Sequence, residues 1–306
     1  MATTAPLRFT TIAAFHQFRS LPKPEHPLIS VLKVDEMKRL NNYEPLSLVQ
    51  DFYCIALKKN FNVKMKYGQQ EYDFDEGVMS FMAPGQVFSI SPTDGGDLKH
   101  SGWMLLIHPD FLWNTSLAKK IKKYEYFDYS VHEALFLSEK EEDRIASIIQ
   151  DIAHEYHGNM DQFSQDLIVT QLEVLLTYAE RFYQRQFLTR RITNHKVLDK
   201  LERLLAEYFR DGDLMEKGLP SVSFVADGLN VSSGYLSGML KVLTGKSTQH
   251  HIHDKVIEIA KEQLSTTTLS VSEIAYALGF GHPQSFSKLF KSKTSVSPLD
   301  FRNAFN

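Results

Sequence analysis

Val271-Ser272-Glu273-Ile274-Ala275-Tyr276-Ala277-Leu278-Gly279-Phe280-Gly281-His282-Pro283-Gln284-Ser285-Phe286-Ser287-Lys288-Leu289-Phe290-Lys291 decides the fold, because an earlier stretch carries the same pattern. Val222-Ser223-Phe224-Val225-Ala226 aligns with Val271–Ala275, and Leu229 with Leu278. After a slip of one residue, Leu236-Ser237-Gly238-Met239-Leu240-Lys241 falls on Phe286–Lys291, and Thr244 on Thr294. Self-similarity of this kind marks a duplicated supersecondary unit. Each copy reads as a short helix, a turn and a second helix. The turns are Asn230-Val231-Ser232-Ser233 and Gly279-Phe280-Gly281-His282-Pro283. Apolar positions at Leu236, Leu240 and Leu243, or at Phe286, Leu289 and Phe290, pack the second helix inward. That is a helix-turn-helix, expected over residues 222–245 and again over 271–295.

The opposite face of each second helix is small and polar. It offers Ser233, Tyr235, Ser237 and Lys241 in the first copy, and Gln284, Ser285, Lys288 and Lys291 in the second. Gln pairs bidentately with adenine, Lys with guanine, and Ser with base edges or phosphate. Gln249 to Leu264 reads as a connecting helix with Ile252, Val256, Ile259 and Ala260 inward. Sixteen residues of helix span ~24 Å. A rigid spacer of that order suits two recognition helices in successive major grooves, ~34 Å apart.

Residues from about 195 to the end resemble the DNA-binding domain of the AraC/XylS family of bacterial transcription regulators. The likeness is densest over Ile274–Phe280, Ser285–Lys291 and Ser297-Pro298-Leu299-Asp300-Phe301-Arg302. The resemblance implies a seven-helix domain. It also implies that Ser233, Gly234, Ser237 and Gly238 face DNA from the first unit, and Pro283, Gln284, Ser285, Ser287 and Lys288 from the second. Three positions depart from the family pattern. Gly234 and Gly238 replace large base-reading side chains, which moves the first unit toward reading shape and phosphate. Ser295 stands where glycine is usual, and Lys255 where arginine is common.

Upstream, residues 50–112 read as strands: Phe52–Leu57, Val63–Tyr67, Tyr72–Phe74, Val87–Ile90 and Gly102–His108, punctuated by Glu76-Gly77 and Ala83-Pro84-Gly85. Short strands with tight turns indicate a small sandwich or barrel. Glu76-Gly77, Phe81–Gln86 and Gly102–Pro109 resemble the cupin-like sensor domain of many such regulators. That likeness implies a barrel over residues 1–137 holding a small effector. Phe52, Tyr53, Phe74, Phe81, Phe88 and Trp103 are the candidate pocket residues, with ordinary core aromatics as the bland reading.

From Ser138 the period becomes helical, opened by the capping box Ser138/Glu141, with Ile145, Ile148, Ile149, Ile152 and Tyr156 on one face. A second helix begins near Ser164. Its stripe of Leu167, Ile168, Leu172, Leu175 and Leu176 is either a lid on the barrel or a dimer surface, and the two readings are compatible. Residues 138–190 thus form a flanking helical region, and Thr189–Asn194 a basic linker to the C-terminal domain, 191–306. The expected fold class is α+β with two domains.

Composition narrows the alternatives. The chain has 306 residues and a formal net charge of −3, while residues 191–306 carry 14 Lys and Arg against 12 Asp and Glu, a mild lean toward an anionic partner. The single cysteine, Cys54, and a start without a leader-like pattern fit a reducing, cytoplasmic setting. No apolar run reaches the ~18 residues of a membrane span. His250, His251 and His253 lack an obvious fourth metal ligand, so phosphate contact or solvation is preferred to a metal. His108 and His100 lack a His-x-His companion, which disfavours a catalytic barrel. Lys119-Lys120-Ile121-Lys122-Lys123 reads as a solvated helix face. No cofactor and no metal are expected. The expected partners are duplex DNA, RNA polymerase, a second copy of the chain and a small effector. The alternatives are a constitutive regulator and a cupin-type enzyme.

Overall fold

A division after Gln186 separates two units, Met1–Gln186 and Phe187–Asn306, in the computed structural model, which describes residues 6–37, 46–59, 65–67, 70–72, 77–90, 101–129, 133–189, 191–210 and 214–304.

The first unit begins with strand β1 (Leu7–Phe9) and helix α1 (Ile12–Phe18), the latter capped where Thr11 accepts from the Ala14 amide. Eight strands follow: β2 (Ile29–Lys33), β3 (Leu46–Gln50), β4 (Tyr53–Lys59), β5 (Met65–Tyr67), β6 (Gln70–Tyr72), β7 (Val78–Met82), β8 (Val87–Ile90) and β9 (Ser101–Ile107). The single-turn helix α2 (Leu117–Lys120) and strand β10 (Leu135–Phe136) lead to two long helices, α3 (Glu139–Tyr156) and α4 (Ser164–Thr189). The strands form a five-stranded sheet in the order β10-β7-β4-β9-β2, a three-stranded sheet β1-β3-β8 and the hairpin β5-β6. Among the described residues these sheets do not close into a barrel.

Pairing along β4 is antiparallel on both sides, with Ile55 opposite Phe81 and Leu105. Gly102 permits the close approach of β9. Its φ is +130°, and a Cβ there would stand 2.0 Å from the Leu57 carbonyl oxygen. Because side chains alternate across a strand, neighbours on β4 serve opposite layers. Phe52 and Cys54 join Phe9, Ile12, Phe15, Leu48 and Leu106 in one apolar cluster. Tyr53 turns the other way, its ring 5.2 Å from Phe127, and Phe81 follows it to Tyr126 and Phe127.

That alternation corrects the expected effector pocket. Phe52 and Tyr53 cannot line one cavity, and Phe52, Tyr53 and Phe81 are all buried in packed aromatic or aliphatic surroundings. Trp103 is half-buried, with Lys33 Nζ 5.7 Å from its ring centre. Phe88 stands on β8 opposite Leu48. Phe74 lies outside the described residues, as do Val63, Lys64, Asp73, Glu76 and His100. Cys54 is buried, and burial pushes its thiol up to about 12, so it stays a neutral core group.

Helix α3 starts as its sequence dictates, with both arms of the Ser138/Glu141 capping box made. Ile145, Ile148, Ile149, Ile152 and Tyr156 are buried. Helix α4 corrects the dimer expectation. Ile168, Leu172, Leu175 and Leu176 are each 0% exposed and belong to the unit's own core, leaving Leu167, at 54%, on the surface. The Tyr126 hydroxyl donates to the Leu176 carbonyl at 2.8 Å, and Gln186 Oε1 accepts from the Phe136 amide at 2.8 Å, so the helix is stitched to the layer beneath. Each fully buried Leu or Ile contributes about 1.5–3 kcal/mol. A stripe already used in that way has nothing left for a second copy.

The second unit is helical: α5 (Arg191–Arg210), α6 (Leu214–Lys217), α7 (Val222–Gly228), α8 (Ser233–Thr244), α9 (Thr248–Thr266), α10 (Val271–Ala277), α11 (Pro283–Thr294) and α12 (Pro298–Asn303). The single turn α6 is additional to the seven helices the resemblance implies. Among the described residues, Thr189 ends α4 and Arg191 begins α5.

Candidate nucleic-acid interface

The duplicated sequence builds duplicated end-chemistry. Ser221 caps α7 by accepting from the Phe224 amide at 3.0 Å, and Ser270 caps α10 with a full capping box to Glu273. Each of these helices then stops on a left-handed residue, Asn230 at φ +56° and Gly279 at φ +84°. The second helices start differently. Ser232 accepts from the Tyr235 amide at 3.2 Å, whereas α11 opens on His282 followed by Pro283, whose fixed φ suits the first helical position.

Both second helices end alike, on Gly245 at φ +73° and Ser295 at φ +66°. The matched threonines do one job twice. The Thr244 hydroxyl donates to the Leu240 carbonyl and Thr294 to that of Phe290, both at 2.8 Å. Ser295 holds a left-handed conformation without being glycine, at a steric cost. Ser295→Gly is therefore expected to raise stability by about 0.5–1 kcal/mol, net of the larger unfolded-state entropy of glycine. Urea denaturation of both proteins checks this, and a loss of stability would show that the Ser295 side chain contributes more than its backbone costs.

The inward faces form one core. Leu236, Met239 and Leu240 of α8, Ile252, Val256, Ile257 and Ala260 of α9, and Phe286 and Phe290 of α11 are buried. Ile257 takes the buried place expected for Ile259, which is half-buried. Phe280, Phe286, Phe290 and Phe301 follow one another at ring-centre separations of 5.4 to 5.8 Å.

The outward faces carry most of the expected DNA-reading residues. On α11, Gln284, Ser285, Lys288 and Lys291 are exposed, with Pro283 and Ser287 half-buried beside them. Ser285, Lys288 and Lys291 fall at successive helical turns and form one polar row. On α8, Lys241 is exposed, and Ser233, Gly234, Ser237 and Gly238 are half-buried. Two assignments change. Tyr235 is 3% exposed, its ring 5.1 Å from that of Phe187, so it is core rather than interface. Ser237 directs its hydroxyl to Thr248 Oγ1 at 3.1 Å, toward the start of α9. The first helix thus presents two glycines and Lys241, a surface suited to backbone approach, while the second presents amide, hydroxyl and ammonium groups.

The histidines at the start of α9 are held by hydroxyls and amides. His250 Nδ1 lies 2.8 Å from Ser247 Oγ, His251 Nε2 2.9 Å from Thr244 Oγ1, and His253 Nε2 2.8 Å from Gln249 Nε2. Burial, then neighbouring lysines, pushes His251 and His253 below the usual histidine range. A neutral His253 ring is the acceptor that the Gln249 amide requires. Elsewhere, Lys119, Lys120, Lys122 and Lys123 are exposed, matching the solvated-face reading. Among the described residues no helix is long and apolar enough to cross a membrane.

Residues 225–304 match a helix-turn-helix domain family. The chain is 33% identical over 88 residues to an uncharacterized HTH-type transcriptional regulator in the cgkA 5′ region of Pseudoalteromonas carrageenovora, covering 28% of this chain and 51% of that protein. It is 31% identical over 140 residues to the HTH-type transcriptional activator RhaS of Salmonella schwarzengrund, covering 45% of each. Among solved structures it is similar to the C-terminal domain of the two-component response regulator yesN from Fusobacterium nucleatum, at 30% identity and a TM-score of 0.29, over 33% of this chain and 96% of that one. The chain spans about half the length of the curated relatives it matches. With paired helix-turn-helix units closed by the same chemistry, and this matched domain, residues 225–304 carry an AraC-type helix-turn-helix domain.

Proposed function

We propose that this chain is a sequence-specific DNA-binding transcription regulator that seats two recognition helices, α8 and α11, in successive major grooves of one duplex. The observation that carries the reading is the exposed polar row on α11, set over a core that the duplicated sequence builds twice. Two relatives that share the matched domain are named transcription regulators, one of them an activator, which supports a non-enzymatic role. DNA selected from a random pool by the full chain should converge on a two-part site with halves about one helical turn apart. A pool that never converges removes the reading. Lys288→Ala should lower affinity for the selected site by about 1–3 kcal/mol if the ammonium reads a base edge. An unchanged footprint and affinity in a gel-shift titration takes Lys288 off the recognition surface.

The cupin-like sensor role of the first unit belongs to this proposal, with an effector shifting operator affinity and operator shifting effector affinity equally. Phe52, Tyr53 and Phe81 are packed into the unit's core, so its site is not placed on them. If transcription from the selected operator is the same under every growth condition tried, the regulator is constitutive. A homodimer, with RNA polymerase as the downstream partner, completes the scheme. Its contact is placed on the surface side of α4, where Leu167 and Val174 are exposed seven residues apart, with Phe163 exposed just before the helix begins. Sedimentation that reports a monomer at micromolar concentration removes the dimer.

A further inference from the structure

Both oxygens of a single carboxylate, on the helix between the two reading units, are committed to different lysines. Asp254 lies in the second turn of α9. Its Oδ2 accepts from Lys246 Nζ at 2.7 Å and its Oδ1 from Lys293 Nζ at 2.8 Å. Lys246 follows Gly245, the left-handed residue that closes the first unit. Lys293 lies in the last turn of α11, the recognition helix of the second, 39 residues further along the chain. One side chain therefore ties the spacer to the end of one recognition unit and to the body of the other.

We propose that Asp254 is a positioning residue that fixes the two helix-turn-helix units relative to each other and so sets the operator spacing the protein accepts.

The buried faces of α9 hold the units together, but apolar packing between short helices is non-directional and permits small rotations. A carboxylate with one lysine on each oxygen removes that freedom at the point where α8, α9 and α11 converge. Burial works against the Asp254 charge, yet hydrogen bonds from Lys246 and Lys293 more than offset it, holding the carboxyl below its usual range. With Asp254 35% exposed and Lys246 54% exposed, the pairs add little to global stability. What they contribute is direction. The two arms also differ: the Lys246 arm stays beside the first unit, and the Lys293 arm alone crosses to the second.

This inference rests on the two-headed reading proposed above, and its test separates the two. Nitroxide labels are placed at Ser223→Cys and Ser272→Cys, matched exposed positions on α7 and α10. Buried Cys54, with its raised thiol pKa, stays unlabelled. Pulsed dipolar spectroscopy on the full chain should give one narrow distance distribution. Asp254→Asn and Lys293→Gln should each widen it about twofold, while Lys246→Gln and Asp254→Glu leave it narrow. On DNA selected by the native chain, one base pair inserted between the half-sites should weaken native binding about tenfold and Asp254→Asn binding less than threefold, a difference of order 1 kcal/mol in coupling. Thermal melting of all variants should agree within a few degrees. A distance distribution in Asp254→Asn as narrow as the native one overturns the assignment, as does a widening matched by a collapse in melting temperature. If the native chain selects no DNA, the regulator reading fails while the distance measurement still decides the role of Asp254.

Discussion

Phe286→Ala is expected to destabilise the C-terminal unit by about 3–5 kcal/mol, as large-to-small changes at fully buried aromatic positions do. Phe286 is 0% exposed. Its ring lies 5.4 Å from that of Phe280 and 5.8 Å from that of Phe290, which itself meets Phe301 of α12 at 5.4 Å. Truncation removes the middle of this aromatic file and leaves a void between α10, α11 and α12. Small helices cannot collapse into such a void without rotating α11 and carrying Gln284 and Lys288 out of line. Chemical denaturation followed by far-ultraviolet circular dichroism should show the helical transition of this unit moved to lower denaturant. Binding to the selected DNA should fall with it. A change below about 1 kcal/mol would mean that the aromatic file is not the core of the second unit.

The second large effect is expected at the turn of the same unit. Gly279→Ala should cost about 3 kcal/mol, part from forcing a side chain into the left-handed region and part from overlap with main chain. Gly279 sits at φ +84°, and a Cβ there would lie 2.8 Å from the Leu214 carbonyl oxygen, 2.9 Å from the Gly218 carbonyl carbon and 3.1 Å from its Cα. All three are backbone atoms, so no rotamer change relieves the contact. Gly245 supplies the control. Its φ is +73°, but nothing stands within 4 Å of the added methyl, so Gly245→Ala should cost only the conformational share, about 1 kcal/mol. Melting both variants side by side separates the two contributions. Equal losses would show that the approach of Leu214 and Gly218 to the turn is not close in solution.

Legibility differed between the units because their information is stored differently. A helix-turn-helix writes its structure locally, in a cap, a few apolar positions, a left-handed stop and a second cap within about twenty residues. The match of Thr244 with Thr294 is therefore legible from spacing, and the capping box at Ser138 and Glu141 likewise, whereas the caps Ser221 and Ser270 emerge only in the structure. Tyr235 is core although its helical position suggests the outer face, because position on a helical wheel does not say what lies outside the motif. Phe187, 48 residues earlier in the sequence, is what claims its ring. Strands β1, β2 and β3 leave little local signal in the sequence, because each is three to five residues long and gains stability only from partners far along the chain, as Ile29 does from Ile107.

The sequence by itself determined the duplicated unit, its turns and the chemistry of its outer face, since each of those is an interaction between residues a few positions apart. Tertiary structure alone decided which apolar stripes were already occupied. Ile168, Leu172, Leu175 and Leu176 look equally suited to a partner or to their own sheet until the sheet is present, because hydrophobic burial carries no address. It alone also brought Asp254 between Lys246 and Lys293, since an ion pair over 39 residues exists only once the helices have packed and set the geometry at which a weak surface attraction becomes a directional constraint.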